Sequence, residues 1–208
     1  MNRTRGSVLR CVLLCAACVM AASARAMVTF DFTELVTGQP PGGSAPWATL
    51  TIENAGTDAV DMTLAHNSSS ASGQFISLLL LNMDPFPTDP ALIESSPKIV
   101  DWDFGQDAIN RAGGMFDMQV IFETSNAGGG VNRLKPGESV SWQVTGGGLT
   151  ETDFQALSTG DLNVFAMIHL QGIAGGGSAH LAPVPEPASL LVLGAGSALL
   201  LVRRRRSA

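Results

Sequence analysis

The chain has 208 residues, of which 45% are hydrophobic and only 14% charged, with 23 glycines and no tyrosine. That composition excludes charge-driven disorder and argues against a helical bundle, leaving a glycine-punctuated β protein with room for one domain. Eight of the twelve basic residues sit in the two ends; between Met27 and Pro183, 17 acidic residues face Lys98, Arg111, Arg133 and Lys135, a charge of −13 that repels phosphate backbones and excludes nucleic acid as a partner.

The first 26 residues read as a secretory signal peptide. Arg3, Arg5 and Arg10 precede an apolar run over residues 11–22, and Ala24-Arg25-Ala26 has the A-x-A cleavage pattern. Signal peptidase is the implied partner, with Ala24 and Ala26 as its recognition residues and Met27 as the first mature residue. The three cysteines, Cys11, Cys15 and Cys18, all lie in this segment, so the mature chain has no thiol, disulfide or cysteine metal site.

From Met27 onward the hydrophobic pattern has period two, the mark of strands with one face in a core. Val28, Phe30 and Phe32 alternate with polar residues, as do Val60, Met62 and Leu64, then Phe116, Met118, Val120 and Phe122, then Val140, Trp142 and Val144. Phe75–Leu81 is apolar almost throughout and predicts a central strand covered on both faces; residues 164–170 are similar. Residues 48–52 and 99–104 bring the expected number to about eight. Glycine triplets and Asn-, Gly- and Pro-rich turns separate them, and no amphipathic helix of ordinary length appears. The expected fold is a single all-β domain over residues 27–182, a two-sheet β-sandwich of jelly-roll type.

Few residues in this body offer chemistry. His66, His169 and His180 have no metal-ligand spacing; His169 lies in an apolar strand and reads as a packing residue, and His180 falls in what reads as a linker. In Asp101-Trp102-Asp103-Phe104-Gly105-Gln106-Asp107, alternation puts Trp102 on the core face and Asp101 and Asp103 together on the other, with Asp107 past a glycine bend. A solvated acidic face is the default reading; the alternative is a calcium site, since Ca²⁺ takes six to eight oxygen ligands. No other cofactor is expected. Trp102 and Trp142 fall on core faces, whereas Trp47 shares a face with Thr49 and Thr51 and is the aromatic a carbohydrate-stacking role would use.

The tail changes character at Pro183. Pro185 and Pro187 bracket Glu186 and keep the backbone out of a helix; residues 188–202 are small or apolar; Arg203, Arg204, Arg205 and Arg206 follow. Fifteen apolar residues make a helix of roughly 22 Å, short for a layer of about 30 Å, although arginines can snorkel. The positive-inside rule keeps those arginines cytoplasmic, which agrees with export of the body.

These three parts in this order resemble the PEP-CTERM sorting signal of proteins secreted by Gram-negative bacteria that make exopolysaccharide. The resemblance implies that Pro185, Glu186 and Pro187 are recognised by an exosortase, a membrane-embedded cysteine protease. It also implies that residues 188–202 insert transiently in the inner membrane and that Arg203, Arg204, Arg205 and Arg206 form the cytoplasmic stop. The stretches FISLLLLNMDP and NVFAMIHLQGI are also similar to segments of sandwich domains sorted in this way. The resulting expectation is an exported, non-enzymatic protein of the cell surface or extracellular matrix, with exopolysaccharide as a candidate partner. The alternatives are a carbohydrate-binding module or carbohydrate-active enzyme sorted by the same signal, and a protein that stays anchored.

Overall fold

The computed structural model describes residues 25–184. The expected recognition and anchoring residues Pro185, Glu186, Pro187, Arg203, Arg204, Arg205 and Arg206, together with Ala24 and the three cysteines, lie outside the described residues. Within them the chain is all-β. Its strands are β1 (Met27–Gly38), β2 (Ala48–Gly56), β3 (Ala59–His66), β4 (Phe75–Leu81), β5 (Thr88–Ile93), β6 (Ile99–Arg111), β7 (Gly114–Phe122), β8 (Ser139–Gly147), β9 (Thr159–Gly160), β10 (Ala166–Ile173) and β11 (Gly177–Pro183). Ten strands form one antiparallel path in the order β5-β8-β3-β2-β1-β11-β10-β4-β7-β6, and β9 adds to β7.

The path folds over on itself at β1. Residues 27–32 pair with β2, and from Phe32 to Gly38 the same strand pairs with β11, across two register shifts. Bulges of this kind bend a strand and let it pass from one sheet to another. The two halves, β5-β8-β3-β2-β1 and β1-β11-β10-β4-β7-β6, enclose a core in which Phe32, Leu50, Ile52, Met62, Leu64, Leu79, Leu81 and Phe122 are fully buried. This is a β-sandwich whose chain crosses repeatedly between halves. Each buried Leu, Ile or Phe contributes about 1.5–3 kcal/mol.

The alternating strands fold as their sequences dictate. Val60, Met62 and Leu64 of β3 lie at 0% exposure while their neighbours are half-buried, and in β8 Val140, Trp142 and Val144 are buried between exposed or half-buried neighbours. Every residue of β4 is buried, because it lies between β10 and β7 and carries apolar side chains on both faces. Ile76, Leu79 and Leu81 enter the main core; Leu78 and Leu80 join Ile109, Phe116 and Met167 in a smaller cluster outside it.

Three strands exceed the expectation: β5, β9 and β11. The last corrects the reading of His180 as a linker residue. Gly177–Pro183 occupies the middle of the sheet, hydrogen-bonded to β1 on one side and β10 on the other, with Ala179, Leu181 and Ala182 in the core. Its approach to β1 requires Gly38, which has φ +100° and where a Cβ would run into the Ser178 carbonyl oxygen.

Candidate functional site

Because every pairing is antiparallel, the registers sort the connections between strands into two ends. Met27 lies opposite Glu53 at the β2–β3 turn, Ala166 opposite Leu81, Gly114 opposite Arg111, and Thr88 opposite Gly147. The start of β1, the β4–β5 and β8–β10 connections, the β6–β7 turn and the last residue of β11 therefore share one end. Pro183, opposite Phe32, is still buried in the sheet, and Val184 after it is 44% exposed. We refer to this as the exit end.

A cleft of about 300 Å³ opens there, lined by Met83, Asp84, Gln106, Asp107, Asp117 and Thr159, with Ala156 and Leu157 at its edge. It owes its shape to an irregularity in β6. The pairing passes from Phe104↔Met118 to Ile109↔Phe116, so that residues 105–108 bulge out opposite the single residue Asp117. Asp117 holds the bulge: Oδ1 accepts the Asp107 N–H at 2.6 Å and Oδ2 accepts the Met83 N–H at 2.8 Å. Burial pushes the Asp117 carboxyl above its usual range, against the opposing pull of those two N–H donors and with the help of the nearby Asp107 and Asp84 charges. Asp107 itself is left-handed, with φ 49°, and its carboxylate accepts the Thr159 hydroxyl.

The bulge also interrupts the β7 alternation. Phe116, Asp117 and Met118 are all buried in succession, and Phe116 joins the outer cluster, whereas Met118 joins the main core.

The three candidate calcium ligands are divided between two places. Asp101 and Asp103 are exposed on β6, where each accepts the N–H of the residue after it, Trp102 and Phe104, at 2.9 Å. Asp107 lies past the bulge in the cleft. Among the described residues, no three His, Cys, Asp or Glu side chains are grouped so as to hold a metal ion.

The tryptophans also differ from expectation. Trp142 is buried at 4%, as its strand position implies, and its Nε1 has no partner. Trp47 is half-buried and packs on the main core, with its Nε1 closed off from solvent. Trp102 is 39% exposed, a correction to its core assignment: it faces inward opposite Val120, but β6 is the last strand of its half and that margin is incompletely covered.

The three histidines lie in two places. His66 is buried, and Nδ1 lies 3.0 Å from the Leu134 carbonyl; a carbonyl only accepts, so Nδ1 carries the proton. Burial lowers its pKa despite the Leu134 bond and the Glu138 charge. His169 and His180 are both half-buried and stack with ring centroids 4.5 Å apart and planes 19° from parallel. Their Nδ1 atoms are 3.0 Å from the hydroxyls of Ser77 and Thr37. Ring lone pairs lie in the ring planes, so nearly parallel stacked rings cannot converge on one ion. Burial lowers both pKa values, aided at His169 by the charge of His180 and at His180 by that of Arg111.

At the exit end the sequence takes over from the fold. Residues 183–206 match the PEP-CTERM protein-sorting motif family. The chain carries a PEP-CTERM sorting motif. The PEP-CTERM segment begins at the residue that closes β11, so the motif implies export and membrane-associated sorting of the sandwich that precedes it. No curated protein and no solved structure matches the chain. Among the described residues, no helix is long and apolar enough to cross a membrane. The expected membrane segment, residues 188–202, lies outside them.

The linear signal was legible in the sequence, whereas the cleft was not. Asp84, Gln106, Asp117 and Thr159 come from two separate connections, one bulge and one strand. The only local hint was Gly105 in the middle of an alternating run.

Proposed function

We propose that this protein is the exported substrate of an exosortase-type membrane protease. Signal peptidase cuts after Ala26, and the precursor is held in the inner membrane by residues 188–202. The protease then recognises Pro185, Glu186 and Pro187, and the sandwich is released to the cell surface or extracellular matrix, where it works with exopolysaccharide in a non-enzymatic role. The observation that carries this reading is the PEP-CTERM motif joined directly to the last strand of a folded, cysteine-free body. The intact mass of the protein from wild-type cells and from cells lacking the protease tests it. A wild-type product that begins near Met27 and ends before the arginines is expected; a product that keeps Arg203, Arg204, Arg205 and Arg206 would instead favour a permanent anchor.

A second reading, a carbohydrate-binding module sorted by the same signal, is favoured by Trp102. An indole 39% exposed at a sheet edge offers a face to a sugar ring, while the exposed carboxylates of Asp101 and Asp103 lie on the other face of the same strand. Those two carboxylates are also where calcium would be sought. Glycan arrays with the mature protein, with and without calcium, test both; binding that survives Trp102→Ala would remove this reading.

A further inference from the structure

We infer that folding of the body and proteolytic processing compete for the same residues, the end of β11 at positions 181–184. The inference rests on the sorting reading above and adds a constraint on when the protease can act.

β11 is an interior strand. Leu181 and Ala182 are buried, Leu181 pairs with Leu35 on one side and Ile168 on the other, and Pro183 lies opposite Phe32. Only Val184 separates that sheet from Pro185. A protease that reads an extended segment needs free backbone on both sides of the bond it cuts, and nicking concentrates in exposed segments for that reason. Upstream of the Pro-Glu-Pro element, the backbone that would enter such a cleft is already hydrogen-bonded into the sandwich. Freeing it exposes Leu181 and Ala182 and leaves the second half of β1 without its partner.

Chain order sharpens the conflict. β1 is the first strand and waits for β11, the last, before its residues 32–38 can pair. Completing the fold therefore draws the residues next to the sorting motif into the sheet. Cleavage then depends on the fraction of molecules in which the end of β11 is undocked, as proteolysis does when opening and closing are faster than cutting.

The test follows full-length precursor by pulse-labelling in producing cells that contain the protease. Two variants are compared with wild type: a six-residue Gly-Ser insertion between Val184 and Pro185, which frees backbone without touching the fold, and Leu181→Ala, which weakens docking of β11. Both are expected to shorten the precursor half-life, the insertion by about threefold or more, since it removes the need for undocking. An insertion variant processed at the wild-type rate or more slowly overturns the inference, whatever Leu181→Ala does to folding. A wild-type precursor that is never processed overturns the sorting reading itself, so the two failures are distinct.

Discussion

The carboxylate of Asp117 and the backbone of Asp107 are joined by a 2.6 Å hydrogen bond that spans the bulge in β6. The other oxygen of Asp117 takes the N–H of Met83, so one buried side chain ties β7 to two of the segments that line the cleft. Removing it leaves two donors without a partner, and Met83 is itself only 3% exposed. Asp117→Ala is therefore expected to cost about 1–3 kcal/mol in urea denaturation. Asp117→Asn keeps one carbonyl acceptor and should lose less. Equal losses would mean that the clamp is not the source of the stability.

The pH dependence has a definite sign. His66, His169 and His180 all have folded pKa values below 6.5, so the unfolded chain takes up protons first as pH falls. Their contribution is complete above the unfolded pKa and is lost as pH falls from about 6.5 through the lowered folded values. The melting temperature should thus drop between neutral pH and pH 5, and His180→Gln should flatten part of that drop. Asp117 acts in the opposite sense: its raised pKa lets the folded state hold a proton the unfolded chain has released, so it favours folding only at still lower pH. Glu138 adds to the acid loss. Burial raises its pKa, but hydrogen bonds from Lys98 and Lys135 and their charges outweigh that and lower it, so its stabilisation vanishes as pH falls below 4.5. A melting temperature that is flat from pH 7 to 5 would contradict the histidine account.

Gly38 tests the β1–β11 contact independently. With φ +100° and the Ser178 carbonyl in the space of a Cβ, Gly38→Ala is expected to destabilise by about 1 kcal/mol or more. Gly56 also has positive φ but has open space around it, so Gly56→Ala carries only the conformational cost. Denaturation of the pair separates the steric contribution from the dihedral one; similar losses would show that the close approach is not limiting.

Trp102 and Trp47 make opposite predictions. Trp47 packs on the core, and Trp47→Ala is expected to cost about 3–5 kcal/mol if its site does not collapse. Trp102→Ala at the exposed margin should cost about 1 kcal/mol or less, while removing any affinity for polysaccharide. Loss of polysaccharide binding on Trp47→Ala without loss of stability would reverse this assignment.

How far the sequence could be read depends on what each segment leaves for its neighbours to supply. β3, β4 and β8 carry their whole burial pattern in their own side chains, and their strand class and faces follow from period two or from a continuous apolar run. β11 does not. GSAHLAP has one large apolar residue, and its stability comes from β1 and β10 on either side, a relation between positions 143 residues apart at Thr37 and His180. β5 contains Pro90, which an edge position tolerates and a sequence pattern counts against. At Trp102 alternation predicted the correct face, but how far the opposite sheet covers that face is a property of the whole sandwich. The sorting motif was legible because it is read as a line of residues, and the cleft was hidden because it requires two connections and a bulge to meet at β7.

The arrangement at the exit end also has an electrical consequence. Glu53, Asp58, Asp84, Asp89 and Glu151 belong to the turns and connections of that end, whereas Lys98, Arg133 and Lys135 lie toward the other, together with Glu123 and Glu138. The body is therefore a polarised particle whose more negative end leads into the sorting motif. Against an anionic lipid surface the force on that pole is repulsive and extends about 10 Å at 0.1 M salt, the reach of a few extended residues. If the tail is held in a membrane and then cut, as proposed above, the tether works against this push until cleavage, and the same charge then drives the particle away from that surface.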